Sequence, residues 1–159
     1  MRKPLQFILL SFLFISLDAT TNMPNTSSDV GDISIKGLFE SNQEFQENYS
    51  EYNSNSLLDF SLFRDVEIFV LFGTWCHDSK REVPRFLKLL SDSKVSENQI
   101  NLIGLNFMKN DSQDRGKKFK IKKTPTFIIL RNQVEIGRIV ERPEISLEAD
   151  LLKILETIN

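Results

Sequence analysis

The chain has 159 residues, a formal net charge of −2, 40% hydrophobic residues and 26% charged residues, the make-up of one globular domain with a short appendage. A charge so near zero gives no reason to expect nucleic acid or an anionic membrane as partner. One Cys and one His exclude an internal disulfide framework and argue against a structural zinc site within the chain.

Met1 to Ala19 has the layout of a secretory signal: Arg2 and Lys3 at the start, then an apolar run from Leu5 to Leu17 broken by Gln6, Ser11 and Ser16. The run falls short of the roughly 20 residues a spanning helix needs, so no stable membrane span is expected. Leu17 is a poor partner for a cut after Ala19, which leaves the cleavage point, and an uncleaved anchor, open. The expectation is an exported protein, periplasmic or secreted. In such an oxidising compartment a lone thiol is reactive, joined to another molecule, or buried and inert.

Residues 20–32 are rich in Thr, Asn, Ser and Asp and read as a linker before a domain spanning 33–159. Ile33 to Phe39 reads as a short strand, and Ser41 as the cap of a helix running to about Tyr52. Ser56 to Phe63 stays open between helix and loop. Val66 to Phe72 (VEIFVLF) predicts a strand buried on both faces. Cys76 to about Ser91 predicts a helix with Val83, Phe86, Leu87 and Leu90 on one face and a Pro inside it at position 84. Ile100 to Phe107 predicts a second strand, Ser112 to about Phe119 a short polar helix or loop, and Thr126 to Leu130 a third strand. Asn132 and Gln133 turn the chain into a fourth, Val134 to Val140. Ser146 caps a final helix with Leu147, Leu151, Ile154, Leu155 and Ile158 as its apolar stripe. This order predicts an α/β fold with a central mixed sheet flanked by helices.

The chemistry gathers around Cys76. A Cys at a helix start sits among unpaired backbone N–H groups at the positive end of the dipole, which favours the thiolate that attacks disulfides. Ser79 lies one turn on, where its hydroxyl could reach the sulfur. Trp75 would shield one side. His77 is expected as a neutral, exposed modulator, and Asp78 as a helix-start acid that opposes the thiolate. A basic run, Arg115, Lys117, Lys118, Lys120, Lys122 and Lys123, precedes Thr124-Pro125. It reads as a solvated face, with a border to the site as the functional alternative.

Trp75-Cys76-His77-Asp78-Ser79-Lys80 with Pro84, and Thr124-Pro125-Thr126 at the head of a strand, resemble the thioredoxin-like family's active-site segment and its cis-proline. The resemblance implies a thioredoxin-like fold over Val66 to Ile158 and more loosely from Ile33. It implies Cys76 and Ser79 as catalytic pair, with Trp75, Thr124 and Pro125 facing the substrate and no cofactor or metal. Two positions depart from the family: Ser79 replaces the second Cys, and Val70 stands where a buried acid is usual. The expected activity is therefore monothiol, Cys-x-x-Ser thiol–disulfide exchange through a mixed disulfide at Cys76. Its partners would be a disulfide-bearing protein or small thiol and an external resolving thiol. The alternative is a redox-inactive module of the same fold that binds peptides.

Overall fold

A computed structural model describes residues 29–54 and 57–157. The expected signal, Met1 to Ala19, and most of the expected linker lie outside the described residues, as does Ile158.

Five strands form one mixed sheet: β1 Gly31–Ile33, β2 Val66–Phe72, β3 Ile100–Gly104, β4 Thr126–Arg131 and β5 Val134–Val140, in the order β1-β3-β2-β4-β5. β2 runs parallel to β3 and antiparallel to β4, while β1 and β5 close the two edges as antiparallel strands. The helices are α1 Ile35–Ser41, α2 Gln43–Glu51, α3 His77–Asp92, α4 Arg115–Lys118 and α5 Leu147–Glu156. Among the described residues no helix is long and apolar enough to cross a membrane.

β2 is central because its apolar run serves two cores at once. Val66, Ile68, Val70 and Phe72 join the larger cluster with α1, α2, α3 and α5, and Leu71 joins Ile103, Leu105 and Ile128 in a smaller one on the other face. Phe119 and Ile121, just after α4, cover that smaller cluster. Phe45, Phe63, Phe72, Phe86 and Phe127 are among the largest fully buried side chains.

The N-terminal part corrects the sequence reading. Ile33 to Phe39 is not a strand. Gly31–Ile33 is the strand, beginning within the segment read as linker, and α1 follows because Ser34 Oγ accepts from Gly37 N at 3.0 Å and opens a helix. Ser41 ends α1 instead of capping the next helix, and Asn42 stands between the two. The open segment near Phe63 is a 3-10 turn at Phe60–Phe63. β3 stops at Gly104, short of Phe107, because Asn106 Oδ1 accepts the N–H groups of Met108 and Asn110 and folds the chain into a loop.

α3 runs through Pro84, which has no N–H to give the carbonyl one turn earlier. That carbonyl, on Lys80, accepts instead from Asn48 Nδ2 of α2 at 3.0 Å. The bond fastens α2 to the helix that carries Cys76, and it engages the Asn of an Asn-x-Ser sequence.

A second tie holds the loop after β3. Asp111, its side chain fully buried, accepts from Arg115 N at 2.8 Å and from Arg115 Nε at 2.6 Å, while Arg115 Nη1 reaches Asp32 of β1. Burial pushes the Asp111 carboxyl up, but the Arg115 N–H and guanidinium and the Gln113 N–H outweigh it and hold the group below the usual carboxylate range. A depressed native pKa means stability that is present above the unfolded value and lost as pH falls through the native one. Asp111→Asn should therefore cost about 2–3 kcal/mol near neutral pH, less than a fully buried pair because Arg115 keeps Asp32. The gap from the unsubstituted chain in chemical denaturation should close below about pH 4.

Candidate active site

The site forms where β2 ends and α3 begins. Gly73 and Thr74 leave the sheet, Cys76 N donates to Gly73 O at 2.9 Å, and Lys80 N donates to Cys76 O at 3.0 Å as the first helical bond. Cys76 is thus the N-cap of α3, with extended backbone angles. Its sulfur is half-buried and free of any disulfide. Across from it the Thr124-Pro125 peptide is cis, at the head of β4. In the thiol form Sγ donates to the Thr124 carbonyl at 3.1 Å, so the two segments, 48 positions apart, meet at the sulfur.

Two tendencies compete at the thiol. Burial pushes its pKa up. The Thr124 hydroxyl, the N–H and hydroxyl of Ser79 and the N–H of Asp78 favour the anion, and they prevail, so Cys76 titrates below an ordinary thiol. No complete capping hydrogen bond closes on Sγ. The Thr124 carbonyl works the other way, since its lone pairs hold the proton on sulfur and offer an anion nothing.

Ser79 is fully buried, and its Oγ accepts from Gly73 N at 3.3 Å. With that lone pair engaged, the hydroxyl proton is free for the sulfur. Asp78 is drawn aside: its Oδ1 lies 2.8 Å from Arg81 Nη2 and 4.0 Å from Arg142 Nε. His77 is exposed. Val70 is fully buried in the larger core, with no carboxylate in its place. Pro125 is buried, its carbonyl accepts from Glu141 N at 2.7 Å, and Lys123 Nζ bridges Glu141 at 2.6 Å on the same rim.

Trp75 is fixed on three sides. Its Nε1 donates to Leu105 O at 3.0 Å, and its ring stacks on Phe107 with centroids 4.7 Å apart. The third side is Gly73, where an added Cβ would stand 2.4 Å from the indole. Leu105 and Phe107 were not foreseen as site residues, whereas Gly73 between an apolar strand and a Trp was a usable signal. Beside Trp75 a cavity of about 500 Å³ opens towards Phe45 and Asn42.

Sheet order, strand directions and flanking helices define an α/β, thioredoxin-like fold. No family model matches the chain, and a search of curated proteins found no match. Among solved structures the chain is similar to a malarial protein at 24% identity, covering 57% of this chain and 93% of that one with TM-score 0.41. It is similar to Chlamydomonas reinhardtii thioredoxin f2 at 20% identity, with coverage of 54% and 83% and TM-score 0.40. It is also similar to Arabidopsis thaliana thioredoxin O2 at 16% identity, with coverage of 74% and 88% and TM-score 0.41.

Gly73→Ala forces the indole off its seat or strains the turn, at a cost of about 1–3 kcal/mol. Trp75 is the single Trp of the chain, so its fluorescence reads the site directly. The emission maximum should move to longer wavelength in the folded Gly73→Ala variant as the ring gains water.

Proposed function

We propose that the chain is a monothiol thiol–disulfide oxidoreductase acting through Cys76. The observation that carries this reading is a half-exposed sulfur at the mouth of α3, lowered in pKa, 3.1 Å from a backbone carbonyl beside a cis-proline. In the reaction the Cys76 thiolate attacks one sulfur of a substrate disulfide. The new Sγ–S bond forms as the substrate S–S bond breaks, and the other sulfur leaves as a thiolate that takes a proton from water. Ser79 offers no second thiol. A small external thiol therefore attacks Sγ, releases the substrate as its second thiol, and a further equivalent frees Cys76. The substrate gains two electrons and two protons, which two small thiols give up in forming one disulfide. If the leaving substrate sulfur or another substrate thiol attacks instead, the result is isomerisation.

The Thr124 backbone would receive an extended substrate segment as a strand edge does. Its carbonyl would pass from the Cys76 S–H to a substrate N–H, which removes the one contact that holds the thiol neutral. Trp75 walls the other side. The exported location read from residues 1–19 would supply disulfide substrates and make the regenerating thiol an external one.

A second reading is a peptide-binding module without turnover. It draws on Ser79 and Val70, which remove the second sulfur and the usual buried acid, and on the S–H bond to Thr124. Covalent capture separates the two. Protein taken from its native host should carry mixed disulfides at Cys76, and Cys76→Ala should abolish function. Their absence, with function intact in Cys76→Ala, favours binding alone.

Iodoacetamide alkylation of Cys76 against pH should show a midpoint below the roughly 8.5 of a free thiol. Ser79→Ala should move that midpoint upward, since it deletes a donor to the anion. A midpoint at or above the free-thiol value ends the redox reading. Ser79→Cys should confer measurable dithiol reduction of insulin, held low because Val70 cannot accept a proton. No gain from that change would mean that position 79 does not reach the sulfur.

A further inference from the structure

Resting on that reading of Cys76, we propose that the substrate class is an acidic polypeptide, docked by a cationic groove beside the Thr124-Pro125 ledge that takes carboxylates flanking the reacting cysteine. The loop after β3 folds back on α4 so closely that a Cβ at Gly116 would stand 1.8 Å from the Lys109 carbonyl. This approach gathers residues between Asn106 and Lys122 around one groove of about 530 Å³. Lys109, Lys117, Lys120 and Lys122 line it, with Met108 and Ile121 as apolar neighbours.

The balance of charge there is one-sided. Nearby carboxylates are already engaged: Asp111 by Arg115, Asp114 by Lys117 and Glu141 by Lys123. Among the described residues no carboxylate lies within 4.0 Å of Lys109, Lys120 or Lys122. Three uncompensated ammonium groups around one groove repel one another, and a bound carboxylate relieves that repulsion.

The groove is also in reach of the chemistry. Lys122 stands two residues before Thr124, a span of at most about 7 Å, and the Thr124 carbonyl lies 3.1 Å from Sγ. A segment laid along Thr124 would pass Lys122, the near end of the groove, within two or three residues of its own sulfur, inside one Debye length of about 10 Å at 0.1 M salt. Nucleic acid fits less well. Four lysines on a chain of net charge −2 fall short of the six to ten phosphate contacts of an ordinary duplex footprint. A membrane meets a broad basic face, whereas this is a notch with apolar neighbours. Met108, 85% exposed at its edge, offers a substrate contact for the apolar residue beside the acid.

The test uses two synthetic decapeptides, alike except for Glu or Gln at the four positions flanking a central Cys. Each is prepared with that Cys replaced by Ser for binding, and as the thionitrobenzoate mixed disulfide for reaction. Calorimetric titration of the full chain carrying Cys76→Ser should show the Glu peptide binding at least tenfold tighter than the Gln peptide at 20 mM salt. The advantage should shrink to under threefold at 200 mM salt and vanish in the Lys109→Gln, Lys120→Gln, Lys122→Gln variant. With Cys76 intact, release of thionitrobenzoate should be faster from the Glu peptide by a similar factor.

Equal affinities for the two peptides, or a Glu preference that survives removal of the three lysines, overturn the proposal. So does binding of phosphatidylglycerol vesicles or a thymidine 20-mer through those lysines without a Glu preference. The salt series leaves all three lysines in place, so misfolding of the triple substitution cannot shield it. Tight Glu-peptide binding with a Cys76 that releases no thionitrobenzoate leaves the groove standing and ends the redox reading. Equal, rapid release from both peptides does the reverse.

Discussion

The contact between the Cys76 sulfur and the Thr124 carbonyl is the point on which the molecule turns. It joins the start of α3 to the head of β4, two elements with no reason to meet except through the sheet between them. β2 delivers Cys76 and pairs antiparallel with β4, which delivers Thr124. Register therefore sets the distance. Leu71 faces Thr126 and Val70 faces Phe127, so a slip of one residue would turn the apolar set of β2 to the wrong faces and carry Thr124 away from the sulfur. The core and the site are consequences of one alignment.

Around that contact, the ionisation of sulfur is a balance between what burial costs and what local donors return. The donors come from the first turn of α3 and from Thr124. The opposing pull is the Thr124 carbonyl, which is also the group an incoming strand would use. A substrate N–H that takes this carbonyl weakens the neutral thiol at the moment a disulfide arrives. Binding and activation would then be coupled through one oxygen atom, with no moving part larger than a proton. Ser79 suits the same scheme because the Gly73 N–H occupies one of its lone pairs and leaves its hydroxyl to donate.

How much of this could be read in advance depends on whether the cause is local. β2 was legible because a run buried on both faces has few other uses. The last helix was legible because Ser146 accepts from Ala149 N and the apolar stripe follows at once. Cys76, Ser79, Thr124 and Pro125 were legible by motif, and they do converge. Ile33 to Phe39 misled because Ile33 and Ile35 alternate as in a strand, while the Ser34 side chain, accepting from Gly37 N, and burial of Leu38 settle 35–41 as helix. The seat of Trp75 was out of reach. Its partners are a carbonyl at Leu105 and a ring at Phe107, some thirty positions on, and a carbonyl leaves no mark in the residue type. Asn48 is similar: nothing near it in sequence says that a carbonyl freed by Pro84 waits for its amide.

The loss of the second thiol also changes what the rest of the surface must do. A two-cysteine site can escape a poor mixed disulfide by internal attack, so it can sample partners freely. On the proposed reading, with Ser79 in that place, a partner joined to Cys76 would stay until an outside thiol or a thiol of its own attacked the mixed disulfide. Selection then has to precede bond formation, and the surface near the sulfur must favour some partners before chemistry begins. Charge is suited to this because it acts over several ångströms and biases approach more than it prolongs stay. Lys122, two residues before Thr124 and with no carboxylate among the described residues within 4.0 Å, lies where such a bias would have to be exerted.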